Sequence, residues 1–170
     1  MKTLLTGTFL RSLDEKLRMA IPKKIRDALG GELVVYIAPG TDGSLALYPS
    51  DSFTRLAEQL DRNSPTGKDV RAFSRLFYAQ VQRVELDRQG RVRIPPELAP
   101  IADLRKEVIL IGVRDHLELW DRERWETYFA DKQDRYDELA ESAFAPQAHS
   151  ALSPKQLDES SEPSKPTHPR

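Results

Sequence analysis

Two stretches of this 170-residue chain are apolar without interruption, Leu33-Val34-Val35-Tyr36-Ile37 and Val108-Ile109-Leu110-Ile111. Short runs rich in β-branched residues and bounded by polar turns predict buried strands. Each is followed by an alternating segment, Leu45-Ala46-Leu47-Tyr48 and Leu117-Glu118-Leu119-Trp120. A helix start then follows both, Pro49-Ser50-Asp51-Ser52-Phe53 and Asp121-Arg122-Glu123-Arg124-Trp125, with Phe53 aligned to Trp125. Phe53, Leu56, Ala57 and Leu60 mark one face of a helix over about residues 51–62, and Val70, Phe73, Leu76 and Phe77 mark a second helix. Asn63-Ser64-Pro65-Thr66-Gly67 separates the two, and Thr66 with Asp69 has the form of a capping box. A last helical pattern from about Asp121 to Phe144 carries Trp125, Tyr128, Phe129, Tyr136 and Leu139.

The order strand, strand, helix thus occurs twice, and a repeated phrase precedes it each time. Leu13-Asp14-Glu15-Lys16-Leu17-Arg18-Met19-Ala20-Ile21-Pro22 returns as Leu86-Asp87-Arg88-Gln89-Gly90-Arg91-Val92-Arg93-Ile94-Pro95, with Leu, Asp, Arg, Ile and Pro at identical spacing. Such duplication predicts internal pseudo-symmetry. Proline fixes φ and drives the residue before it into the extended region, so Ile21 and Ile94 end a strand while Pro22 and Pro95 open a helical turn. Asp14 and Asp87 stand where a carboxylate accepts hydrogen bonds from turn amides, and Gly90 supplies a left-handed position. Arg18 and Arg91 begin the returning strand. Pairing with the aspartate explains Arg91 well. For Arg18 a phosphate contact competes evenly with that structural role, because its surroundings differ in charge.

Net charge is −1 and the isoelectric point about 6.3, which argues against a general nucleic-acid binder. The average hides a gradient. Residues 11–26 hold Arg11, Lys16, Arg18, Lys23, Lys24 and Arg26 against Asp14 and Glu15, whereas residues 125–144 hold six acids against Lys132 and Arg135. Arg91 lies among Glu85, Asp87 and Glu97. The first repeat is therefore the one expected to face phosphate, with Arg18, Lys16, Arg11, Lys23 and Lys24 as DNA-binding candidates. Arginine is also the side chain best shaped for a guanine edge. The aromatic residues sit at helical spacing and are expected in packing rather than base stacking.

Other chemistry is thinly represented. There is no cysteine, hence no disulfide or thiolate zinc site, as suits a reducing cytosol. His116, His149 and His168 are far apart, and no phosphate-loop or nucleophile-elbow pattern occurs. No apolar stretch approaches the length of a membrane span, and the first residues do not form a secretory leader. The chain is accordingly expected to be soluble, to work without catalytic residues, metal, cofactor or small-molecule ligand, and to avoid membranes. Prolines and serines dominate residues 145–170, a composition that predicts disorder. A protein-interaction module, with the acidic last helix facing a partner, is the rival to a DNA binder.

Over about residues 1–143 the paired phrases, the two aromatic-ended strands and the helix pair between them resemble the MraZ family of tandem SpoVT-AbrB proteins. Leu47-Tyr48-Pro49, Lys106-Glu107-Val108 and Leu117-Glu118-Leu119-Trp120 are similar to the family's strand ends. The resemblance implies an α+β fold, mainly β, of two tandem swapped-hairpin-like β units forming a pseudo-twofold core with flanking helices. The expected division is a SpoVT-AbrB repeat over 7–51, connecting helices over 52–79, a second repeat over 80–124, a C-terminal helix over 125–144 and a tail over 145–170. It further implies a bacterial transcriptional regulator of cell-division and cell-wall genes. Such a protein binds direct repeats in its own promoter's double-stranded DNA, assembles into a ring homo-oligomer and lies on the nucleoid in the cytoplasm. The family's DNA-binding arginine falls on Arg18. One departure stands out: Leu17 occupies the position where the family has the turn glycine.

Overall fold

The apolar runs form the strands they predict, but the strands of each repeat do not stay together. The structure is a computed structural model that describes residues 4–62 and 67–145. Its strands are β1 Leu5–Ser12, β2 Arg18–Ala20, β3 Val34–Pro39, β4 Leu45–Pro49, β5 Gln82–Glu85, β6 Arg91–Arg93, β7 Glu107–Arg114 and β8 His116–Asp121. Its helices are α1 Lys23–Ala28, α2 Ser50–Arg62, α3 Lys68–Gln80, α4 Arg122–Gln133 and α5 Tyr136–Phe144, with a 3₁₀ turn at Ala99–Ala102. Six strands make one antiparallel sheet in the order β1-β7-β8-β4-β3-β5, and β2 pairs with β6 in a separate two-stranded ribbon.

Exchanging the two repeats reverses the sheet order onto itself. The first strand of each repeat, β1 or β5, lies on the third strand of the unit from the other half, β7 or β3. This is an exchange of strands between repeats within an α+β fold, as the resemblance implied. The Asp-Arg turn therefore closes no hairpin of its own, because β1 joins the large sheet while β2 leaves it for the ribbon.

Alternation decides the layers. Val35, Ile37, Leu45, Leu47, Val108, Leu110, Leu117 and Leu119 line one face of the sheet. They pack on Met19, Ile21, Val92 and Ile94 of the ribbon and its flanks, all within one core. Met19 and Val92, paired at the ribbon centre, are wholly buried. Each such side chain contributes roughly 1.5–3 kcal/mol on burial. The opposite face carries α2, α3 and α4. Phe53 of α2 stacks on Tyr36 at 4.3 Å between ring centres. Trp125 and Tyr128 of α4 cover Ile109, Ile111 and Trp120.

The helix boundaries differ from expectation at two places. The pattern over 125–144 is two helices, α4 and α5, interrupted at Asp134 and Arg135, where Arg135 leaves helical geometry at φ −110° and ψ 17°. Asp131, Asp134 and Asp137 are poor helix formers in that stretch, and Asp137 and Glu138 instead favour a new N-terminal turn. The described chain falls into two compact units there, one ending at Asp134 and one beginning at Arg135. The second helix of the connector starts at Lys68 with Gly67 as its N-cap, while Thr66 lies outside the described residues. So does the tail beyond Ala145.

Candidate nucleic-acid interface

The repeated phrase builds the same turn twice. Asp14 Oδ1 accepts the backbone N–H groups of Lys16 (2.9 Å) and Arg18 (2.8 Å), and Asp14 Oδ2 accepts Arg18 Nε at 2.7 Å. Asp87 does the same for Gln89 N (2.9 Å), Arg91 N (2.9 Å) and Arg91 Nε (2.7 Å). The backbone closes both turns, from Leu17 N to Asp14 O at 2.9 Å and from Gly90 N to Asp87 O at 2.9 Å. Hydrogen bonds from the Arg18 and Arg91 backbone, then from their guanidinium groups, hold the two carboxyls below the usual carboxylate value. Leu17 and Gly90 are the left-handed residues, at φ 57° and 72°. The leucine therefore leaves the turn unchanged and takes its strain, about 1–2 kcal/mol, while packing against the main core.

The turns feed the ribbon, whose register sets the functional face. Arg18 stands opposite Arg93, Met19 opposite Val92 and Ala20 opposite Arg91. Backbone bonds run from Ile94 N to Leu17 O (2.8 Å) and from Ile21 N to Gly90 O (3.0 Å). Counting inward from those bonds, Arg18–Arg93 and Ala20–Arg91 are the non-hydrogen-bonded pairs, in which side chains stand closest. Met19 and Val92 point into the core, so Arg18, Ala20, Arg91 and Arg93 share the outer face. Three guanidinium groups thus crowd one short two-stranded surface. Arg18 and Arg91 serve their turns, but like charges directly opposite are destabilising in a sheet, so Arg93 facing Arg18 adds a charge that folding does not need and that suits an anion.

Around this face lie further cations. Lys16 and Arg88 are exposed on the turns at opposite ends of the ribbon. Arg26 of α1 lies over Gly90, where an added Cβ would come within 2.4 Å of its Nη1. Lys23 and Lys24 are exposed on α1, and Lys24 Nζ reaches toward Gly7 of β1. Arg11 is placed otherwise. It is opposite Val108 on the sheet face that bears the core, and its Nε is buried without a hydrogen-bond partner among the described residues. Of the candidates, Arg18 and Lys16 belong to the ribbon and its turn, Lys23 and Lys24 flank it, and Arg11 points inward.

Sequence reasoning missed Arg93 and the shared face of Arg91. The acids around Arg91 in the sequence are engaged elsewhere or with it: Glu85 pairs with Arg83 at 2.8 Å, Asp87 with Arg91 itself, and Glu97 accepts Gln82 Nε2 at 3.4 Å. The alternation Arg91-Val92-Arg93 was the available signal, since period two places both arginines on one face.

Elsewhere polar groups serve packing. Buried Asp121 caps α4 through Glu123 N and Arg124 N, and it takes a two-pronged bond from Arg105. Among the described residues no cluster of histidine and carboxylate side chains has metal-site geometry. No described helix is long and apolar enough to cross a membrane.

The chain matches the family described as "MraZ protein, putative antitoxin-like" over residues 4–76 and again over 77–145. It is similar to proteins named transcriptional regulator MraZ. The one from Finegoldia magna is 41% identical over 133 residues, covering 78% of this chain and 92% of the relative. The one from Lactiplantibacillus plantarum is 42% identical over 136 residues, covering 80% and 95%. The one from Thermomicrobium roseum is 43% identical over 119 residues, covering 70% and 82%.

Proposed function

The chain belongs to the MraZ family, and on that premise we propose that it is a sequence-specific DNA-binding transcriptional regulator. It represses its own operon of cell-division and cell-wall genes, working in the cytoplasm on the nucleoid. The observation that carries the reading is the outward ribbon face, where Arg18 and its cross-strand neighbours stand on a rigid, core-backed surface. A two-stranded ribbon fits the major groove of B-DNA. Lys16 at the turn, with Lys23 and Lys24 on α1, then reaches the flanking phosphates. Asp14 does not neutralise the site so much as aim it, since it engages Arg18 through Nε and leaves the two terminal nitrogens for DNA.

A single ribbon offers few cations. Several copies in a ring, bound to direct repeats at matching spacing, raise the effective concentration of each further contact. Phe73 and Leu76 of α3, 50% and 66% exposed, supply apolar surface for such an assembly. No catalytic role is assigned, because Asp14 and Asp87 are consumed within their turns.

The test is a mobility-shift titration with the DNA upstream of its own gene, at low and high salt, for the intact protein and Arg18→Ala. The intact protein should prefer that DNA over a scrambled duplex, with affinity falling steeply as salt rises. Arg18→Ala should lose the preference while keeping the assembly size. Normal binding by Arg18→Ala would defeat the assignment of Arg18, and no preference by the intact protein would leave an interaction module as the better account.

A further inference from the structure

Repeat symmetry relates Arg18 to Arg91, Met19 to Val92 and Ala20 to Arg93. The ribbon obeys that symmetry in backbone and in both Asp-Arg turns, and breaks it at one outward position. Beside Arg91 stands Ala20, a methyl group; beside Arg18 stands Arg93, a third guanidinium. Arg93 is exposed and has no ion-pair or hydrogen-bond partner among the described residues, whereas Arg18 and Arg91 are each tethered to an aspartate. It sits on the ribbon face at the end of β6, across from Arg18 and one pair from the ribbon centre, whereas Lys16 and Arg88 stand on the turns and are the groups placed to meet phosphates.

We propose that Arg93 is a base-reading residue, paired with Arg18 across the ribbon to take adjacent purine acceptor edges in the major groove. Because Ala20 stands at the symmetry-related place, the pair gives the ribbon a direction. A ribbon with identical halves would read a site and its inverted copy alike. This one carries its two-arginine reader at one end, which suits asymmetric elements repeated head to tail. Two guanidinium forks side by side match the O6 and N7 acceptors of neighbouring guanines, the acceptor set that arginine reads best. Their mutual repulsion, unfavourable in the free protein, is relieved when those acceptors lie between them. The inference rests on the DNA-binding reading above.

Its test separates base from phosphate contact. The full-length protein, Arg93→Ala, Arg18→Ala and the exchange variant Ala20→Arg/Arg93→Ala are each used to select duplexes from a randomised library. Each is then titrated by fluorescence anisotropy on the wild-type selected duplex and its single-base-pair substitutions over a salt series. Arg93→Ala should weaken the selected duplex about tenfold to a hundredfold, flatten the preference at one or two base pairs, and leave scrambled DNA nearly unaffected. The exchange variant should select the element with its guanines moved to the other half. The proposal is overturned if Arg93→Ala weakens all duplexes equally with the salt slope reduced by about one, which marks a phosphate contact. It is overturned equally if base preferences are unchanged, or if the exchange variant selects the original element. Undiminished selection by Arg18→Ala likewise overturns the pairing, whereas failure of the full-length protein to select any element is a different failure, that of the DNA-binding reading itself.

Discussion

Replacing Gly90 with alanine isolates what the turn demands of the backbone. Gly90 has φ 72°, and its N–H closes the Asp87 turn at 2.9 Å while its carbonyl accepts Ile21 N at 3.0 Å. The residue is held at both ends and cannot relax to negative φ without breaking the ribbon. An L-residue held there costs about 1–2 kcal/mol. The new Cβ would stand 2.4 Å from Arg26 Nη1 and 2.7 Å from its Cδ, but those atoms belong to a flexible side chain that can swing away. Backbone strain therefore dominates. For a domain of this size the loss corresponds to a fall of roughly 3–10 °C in melting temperature.

The assay is urea unfolding followed by Trp120 and Trp125 fluorescence, at fixed protein concentration because any assembly couples to stability. Arg26→Ala is made alone and together with Gly90→Ala. If strain dominates, the double variant recovers only a few tenths of a kcal/mol, about the scale of independent sites. Full recovery in the double variant would refute the reasoning and make crowding the whole cost. So would a Gly90→Ala protein as stable as wild type. Leu17 supplies the converse. Leu17→Gly relieves about 1–2 kcal/mol of strain and forfeits a comparable amount of packing from a half-buried leucine, so it should be close to neutral.

Two further outcomes follow from other parts of the fold. Gly112 faces Gly7 where β1 crosses onto the other repeat, and a Cβ there would meet Thr6 N at 2.5 Å and Leu5 C at 2.6 Å. Backbone atoms cannot swing aside, so Gly112→Ala should cost about 3 kcal/mol, the upper range for overpacking, read as a lower urea midpoint. A value near zero would show that β1 does not dock in this register. His116 is held between Glu118 and Asp115, with Tyr48 stacked on its ring. Its hydrogen bond to Glu118, then that to Asp115, raise its pKa against the effect of burial. A raised folded value means that its stabilising contribution is complete below about pH 6.5 and is lost as pH rises through the folded value. His116→Gln should remove that decline above about pH 6.5 in a series of urea midpoints; a decline of equal size in the variant would assign it elsewhere.

The duplication, the strands, the helix pair and the conformations of Asp14, Asp87 and Gly90 were legible because each rests on neighbours in the chain, whereas the left-handed backbone of Leu17 was decided only in the structure. Apolar alternation needs only the next residue but one, and a capped turn only the next four. The split at Asp134–Arg135 was not legible, because apolar residues continue at near-helical spacing on both sides of it. The placement of Arg11 came from the structure, where the alternation of β1 with Leu5 and Phe9 sets it on the sheet face that bears the core.

By itself the sequence determined a doubled unit with cations concentrated near its first turn, since composition and periodicity are properties of contiguous residues. Only the tertiary structure decided where those cations meet. Exchange of strands between the repeats sets Arg93 directly across from Arg18, residues far apart along the chain. Pairing across a pseudo-twofold is a relation between distant backbone segments, and no local pattern of charge encodes it.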